Sequence, residues 1–126
     1  MTTVKGRRFV PAVVVLLVMV TWFGIREYRC KVRGAVLARQ VESIKRDAAR
    51  EIRVGTSKAE VGHFFEQHNI PFDFLETEAY GSLRTVGCAP FGCSTDRAFI
   101  SVHVKLDATG TVTEDPRVVG GYQDCL

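Results

Sequence analysis

Cys88-Ala89-Pro90-Phe91-Gly92-Cys93 places two thiols in one short stretch, and a third stands downstream at Cys125. Two sulfurs in such a loop can bond if their Cα atoms come within about 4.4 to 6.8 Å. Either can instead reach Cys125. A structural disulfide drawn from Cys88, Cys93 and Cys125 is therefore the first expectation, and an exchanging redox pair of Cys88 and Cys93 the second. Thiol oxidoreductases place a pair separated by two residues at a helix N-terminus, where the dipole stabilises the thiolate. Here the spacing is longer and the surroundings read as a loop between strands, which favours the structural disulfide.

The other reactive side chains do not converge. His63, His68, Cys88 and Cys93 are suitable zinc ligands by type. However, residues five apart on a helix lie about 500° apart in rotation, about 140° off a common face, so the two histidines would not grip one ion. No metal ligand set and no cofactor is expected. Ser57 reads as a helix cap, and the sequence contains no G-x-S-x-G, no P-loop glycine pattern and no H-E-x-x-H. Glu76, Glu78, Asp107, Glu114 and Asp115 are spread over strands and turns as a solvated surface. His68 reads as a helix-end residue and His103 as a solvent-facing strand residue. No catalytic residue and no small-molecule substrate is assigned.

Residues 35–53 place Leu37, Val41, Ile44, Ala48 and Ile52 at three- and four-residue steps, one stripe of an amphipathic helix. Gly55 stops it. Ser57 with Glu60 forms a capping box that starts a second, shorter helix, whose Val61, Phe64, Phe65 and His68 line one side, before Asn69 and Pro71 end it. Phe64 and Phe65 are the expected core anchors. From residue 71 the period changes to two, predicting a strand over 72–77, a second over 82–86 and the clearest over 98–106. In that last strand Ile100, Val102, Val104 and Leu106 face one way, and Phe99, Ser101, His103 and Lys105 the other. Asp107-Ala108-Thr109-Gly110 is a hairpin turn, returning as a partner strand over 111–114, with an extension to Val119 past Pro116. Gly120-Gly121 is then expected to release the tail.

All of this is tethered by residues 9–25, FVPAVVVLLVMVTWFGI, a run without a charge between Lys5-Gly6-Arg7-Arg8 and Arg26-Glu27-Tyr28-Arg29. As a helix it reaches roughly 25 Å, near the lower limit for a hydrocarbon core of about 30 Å. Phe9, Leu16, Leu17, Trp22 and Ile25 are its anchor residues, with Trp22 and flanking Arg side chains at the interfaces. A cleaved signal peptide would show a small-x-small site, and REYRCKVRG follows instead. The residues before Cys30 are not the small apolar ones of a lipid-attachment signal. The run is read as an uncleaved single-pass anchor.

The overall charge of +3 conceals opposite halves. Residues 1–53 carry twelve Lys or Arg against four acids, a net of +8, and residues 54–126 carry five against ten, a net of −5. A basic segment beside a membrane span contacts anionic headgroups. Nucleic acid is not an expected partner, because the folded part is acidic and lacks interleaved aromatic and basic residues. The bases after the apolar run favour a cytoplasmic C-terminal domain by the positive-inside rule. Four cysteines in a small chain favour a compartment where disulfides persist. We follow the cysteines, which predicts an inner (cytoplasmic) membrane protein with an extracytoplasmic domain.

Ile52-Arg53-Val54-Gly55-Thr56-Ser57-Lys58-Ala59-Glu60-Val61, followed by the hairpin from Val104 to Val112, resembles the small outer-membrane assembly lipoproteins of the SmpA/OmlA, or BamE-like, family. That family opens its domain with I-x-x-G-x-[ST]-x-x-x-V and closes it with a strand, a D-x-x-G turn and a strand. The resemblance covers about sixty residues in two pieces. It implies a periplasm-facing accessory module without catalytic residues, working through contacts with another envelope protein. The chain departs from the family in lacking a lipid-attachment signal and in carrying His68-Asn69-Ile70-Pro71 where Gly-x-Pro is usual. Type IV pilin-like proteins share the apolar N-terminal helix, but their processing pattern is missing here.

The expected organisation is a basic tail over 1–8, a transmembrane anchor over 9–25, a basic juxtamembrane amphipathic helix over 26–54 and a small domain over 55–126. The expected fold class is α+β, with the amphipathic helices packed on a small antiparallel β-meander. The lipid bilayer and a further envelope protein are the expected partners.

Overall fold

The computed structural model of the chain describes residues 9–126. The basic tail expected over residues 1–8 and the side chain of Phe9 lie outside the described residues. The order of elements within them is α1 (Phe9–Glu51), α2 (Lys58–Gln67), β1 (Phe72–Phe74), β2 (Glu78–Val86), β3 (Arg97–Lys105) and β4 (Arg117–Tyr122). The chain divides into two compact units between Val32 and Arg33.

The first unit is the apolar part of α1. Val10, Leu16, Leu17 and Trp22 are each about 60–70 % exposed, and Ile25 about half. Thr21 turns its hydroxyl back to the Leu17 carbonyl at 2.8 Å, so the one alcohol of this run is satisfied within the helix. The helix has the length and composition of a membrane span, and none of that window is buried.

The second unit, Arg33–Leu126, is an α+β domain. Its sheet is an antiparallel meander in the order β1-β2-β3-β4. Ala79, Ala98, Ile100, Val102 and Val104 are buried on one sheet face. Against this face lie Leu37, Ile44, Ala48 and Ile52 of α1 and its extension, together with Val61, Phe64 and Phe65 of α2, all in one core cluster. Leu37, Ile44, Ala48 and Ile52 of the expected stripe and both Phe anchors are buried in it, with Val41 partly buried against it. Phe65 stacks on Phe72 with ring centroids 5.1 Å apart, and Phe64 meets Phe65 edge-on at 5.8 Å. The compact unit begins at Arg33, and the stripe from Leu37 to Ile52 contributes to its core.

The helix starts and stops follow local chemistry. Ser57 caps α2 reciprocally with Glu60: its backbone N–H donates to the Glu60 carboxylate at 3.0 Å, while its hydroxyl accepts from the Glu60 N–H at 3.4 Å. Gly55 (φ 96°) and Asn69 (φ 55°) take the left-handed conformation after the two helices.

The strands differ from the sequence reading in three places. β1 stops at Phe74, β2 starts four residues earlier than predicted, and the return after the hairpin is not a strand. Val112 makes only an isolated bridge to Leu106, and the fourth strand forms later, at Arg117–Tyr122. Gly120 and Gly121 do not release the tail: they pair with Ile100 and Phe99 inside the sheet. Their lack of a side chain is what admits them. A Cβ on Gly120 would stand 2.8 Å from Val41 Cγ2, and one on Gly121 would stand 2.7 Å from the Phe99 ring.

Phe65→Ala is expected to destabilise the folded unit by roughly 3 to 5 kcal/mol, since the ring is fully buried and its loss opens a cavity between α2 and the sheet. Chemical denaturation of the detergent-solubilised protein, followed by a far-ultraviolet signal, measures it.

Candidate functional site

Two places bring polar or reactive side chains together in the folded unit. The first is the sheet face turned away from the helices. Antiparallel pairing sets Tyr80 opposite His103 and Glu78 opposite Lys105. With a side-chain period of two, all four project from this same face. The Tyr80 and His103 rings lie 4.8 Å apart. His103 Nδ1 is hydrogen-bonded to the Glu78 carboxylate. A histidine oriented by a carboxylate is half of an acid–base relay. Among the described residues no hydroxyl or thiol is hydrogen-bonded to His103. Nearby, an open groove of about 660 Å³ is lined by Pro71, Asp73, Tyr80, Ser82, Arg84 and Gln123, among others. Lys105 pairs with Glu114 at 3.2 Å on the same side. The face therefore mixes both charge signs with aromatic surface.

The second place is the cysteine loop between β2 and β3. A disulfide joins Cys93 to Cys125, one of the pairings the spacing left open. Cys30 and Cys88 are disulfide-bonded as well, so no cysteine is free. The exchanging pair considered for Cys88 and Cys93 requires these sulfurs to be bonded to each other, and Cys93 is instead bonded to Cys125. The reason is the register beyond β4. The chain returns alongside the loop, with Gln123 N–H donating to the Arg97 carbonyl at 2.9 Å and Ser94 N–H to the Asp124 carbonyl at 3.0 Å, which sets Cys125 across from Cys93. The base of the loop is held by Asp96, whose Oδ1 accepts from the Ala89 N–H at 3.0 Å and whose Oδ2 meets Arg33 at 3.2 Å. Tyr122 Oη accepts from the Cys88 N–H at 3.2 Å.

The histidines weighed for zinc stay apart from the cysteines chemically, since both thiols are consumed in disulfides. Among the described residues no group of three His, Cys, Asp or Glu side chains is placed to hold a metal ion. His68 caps the C-terminus of α2, its ring 4.4 Å from that of Phe64 and its Nε2 4.0 Å from Asp47 Oδ2. A second strand starting at Ser82 leaves Glu78 as a surface acid only and gives Tyr80 no place beside it, whereas β2 starts at Glu78 and carries both. The alternation Glu78-Ala79-Tyr80-Gly81-Ser82-Leu83 is the signal that would have placed them beside His103.

A third arrangement is structural. The backbone from Gly55 to Lys58 hydrogen-bonds to the hairpin: Gly55 N–H to Val112 O, Val112 N–H to Thr56 O, and Lys58 N–H to Gly110 O, each at 2.8–2.9 Å. The hairpin turn is closed by Asp107, whose Oδ1 accepts from the Thr109 hydroxyl at 2.6 Å and from the Thr109 and Thr111 N–H groups at 2.9 Å. The Thr109 hydroxyl, then the Thr111 N–H, hold the Asp107 carboxyl below the ordinary aspartate range.

Comparison of the chain with known protein families, with curated proteins and with solved structures finds no match.

Cys93→Ser should destabilise the folded unit by roughly 3 to 4 kcal/mol, the loop-closure value for a bridge spanning 32 residues. Cys125→Ser should match it, and the double variant should lose no more than either single one, measured by denaturant unfolding. Asp107 makes a contribution present above the unfolded aspartate pKa of about 3.9 and lost as pH falls through its lower folded value. Asp107→Asn should flatten that part of the acid dependence in melts run from about pH 5 down to pH 2.

Proposed function

We propose that this protein is a single-pass, membrane-anchored interaction module of the cell envelope, of the BamE-like kind, with its α+β domain on the extracytoplasmic side and no catalytic activity of its own. The observation that carries the reading is the exposed apolar helix from Val10 to Ile25, whose side chains are suited to lipid and not to water. Anchoring by an uncleaved span, as opposed to a removed signal sequence, is supported by the residues that follow it: α1 continues helical through Arg26-Glu27-Tyr28-Arg29 to Glu51. A cleavage site needs extended, accessible chain.

Disulfide bonding of all four cysteines supports an oxidising compartment, because cytosolic thiols are kept reduced. Contact with a second envelope protein is supported by the outward sheet face, where Tyr80, His103 and Val119 lie among Glu78, Arg84, Lys105 and Arg117. Aromatic and Arg-rich surfaces of mixed charge are the usual substance of binding faces. The basic residues Arg26, Arg29, Lys31 and Arg33 add attraction to anionic headgroups.

The protein should fractionate with membranes and resist both high salt and alkaline carbonate, since apolar burial is not screened by ions and surface charge is. A reporter fused after Leu126 should be active only when exported. Release by salt alone, or a reporter active only in the cytoplasm, would sink the reading.

A further inference from the structure

Phe91 is exposed over 109 % of its reference area, the highest value of any aromatic residue among those described. It stands in Val86-Gly87-Cys88-Ala89-Pro90-Phe91-Gly92-Cys93, a stretch without a charged side chain, and Val86 is half exposed too. The ring is not left outside by a slack loop. Cys93 N–H closes the tip by donating to the Pro90 carbonyl at 3.3 Å, and the Cys93–Cys125 disulfide ties that arm down. Asp96 and Tyr122 hold the other arm through the Ala89 and Cys88 N–H groups. A rigid loop that presents a bare aromatic ring to water is costly unless something apolar receives the ring, and a braced tip binds without first losing conformational entropy.

We propose that the Pro90-Phe91-Gly92 tip enters the interfacial region of the bilayer as a second, shallow membrane contact of the folded domain. The proposal rests on the reading of α1 as a membrane span. Three observations select lipid as the occupant. The first is reach: the base of the loop lies against α1 at Gly34, where an added Cβ would stand 3.2 Å from Cys88 Cβ. Gly34 follows Ile25 by nine residues, so covalent length alone keeps the loop base within about 30 Å of the end of the apolar run, however the two units are turned. The second is charge. Asp96, the acid that holds the loop, is engaged by Arg33 and by the Ala89 N–H, so it presents no unmet charge, and Arg26 and Arg29 supply cations suited to anionic headgroups. The third is composition: Pro, Phe and small residues flanking one ring can enter a headgroup layer without burying a charge, and an amphipathic element gains affinity from such shallow burial.

The sequence contains a single tryptophan, Trp22, which makes the test direct. The wild-type protein and the Trp22→Phe/Phe91→Trp variant are reconstituted in vesicles of mixed zwitterionic and anionic phospholipid, with and without bromine on the upper acyl carbons. Trp22 reports the span and the tryptophan at position 91 reports the tip. The expected result is blue-shifted emission at position 91 with a loss of intensity in brominated vesicles of the same order as that of Trp22. Quenching of Trp22 with water-like, unquenched emission from position 91 overturns the tip contact and leaves the span standing. Blue-shifted but unquenched emission from position 91 also overturns it, and identifies protein as the cover. If Trp22 itself is unquenched, the span reading fails and the tip contact falls with it.

Discussion

The folded unit depends on burying one sheet face beneath two helical segments. Ile100, Val102 and Val104 of the central strand β3 are wholly inaccessible, and Phe65 and Ile52 lie against them from the helical side within one cluster. The helices could not approach so closely over a sheet with side chains at every position. At Gly81 a Cβ would stand 2.4 Å from the Phe65 ring, so Phe65 occupies the volume that any other residue would claim there. Gly120 makes the same concession to Val41 of α1. Close packing of this kind makes the helix positions and the strand register mutually dependent, because a shift of one residue along β2 would drive a side chain into the Phe65 ring.

From that packing the remaining features take their places. With the inner face committed to the core, alternation leaves Glu78, Tyr80, His103 and Lys105 together on the outside, where a carboxylate orients the histidine and an aromatic ring covers it. The fold thereby separates the two faces: one side of the sheet supplies the core, and the other carries polar and aromatic groups. The β2–β3 connection is too long for a tight hairpin and would be mobile if left alone. It is braced by a disulfide, an ion pair and a tyrosine hydroxyl, and it keeps its one large apolar side chain outside.

The apolar part of α1 obeys a different constraint. It needs no tertiary partner to satisfy its backbone, since its hydrogen bonds are internal, and its exposed apolar side chains have the length and composition that a membrane span requires. Its continuation past Val32 belongs to the second unit, where the stripe from Leu37 to Ile52 is amphipathic and enters the core.

Features encoded locally were legible from the chain alone. The stripe from Leu37 to Ile52, the Ser57–Glu60 capping box, the burial of Phe64 and Phe65, the alternation along 98–106 and the Asp107–Gly110 turn each rest on residues within a few positions of one another, and each is present. The disulfide partner of Cys93 was not legible, because it is selected by how β4 and the tail pair with residues far away in sequence. The same holds for Gly120 and Gly121, which local propensity reads as a release and tertiary packing uses as strand. Glu78 and His103 are brought together only by the β2–β3 register. Sequence determined periodicity, caps and the apolar run, since these follow from each residue and its immediate neighbours. Tertiary structure alone decided which distant groups meet, because strand register and close approach depend on side chains that the local sequence does not contain.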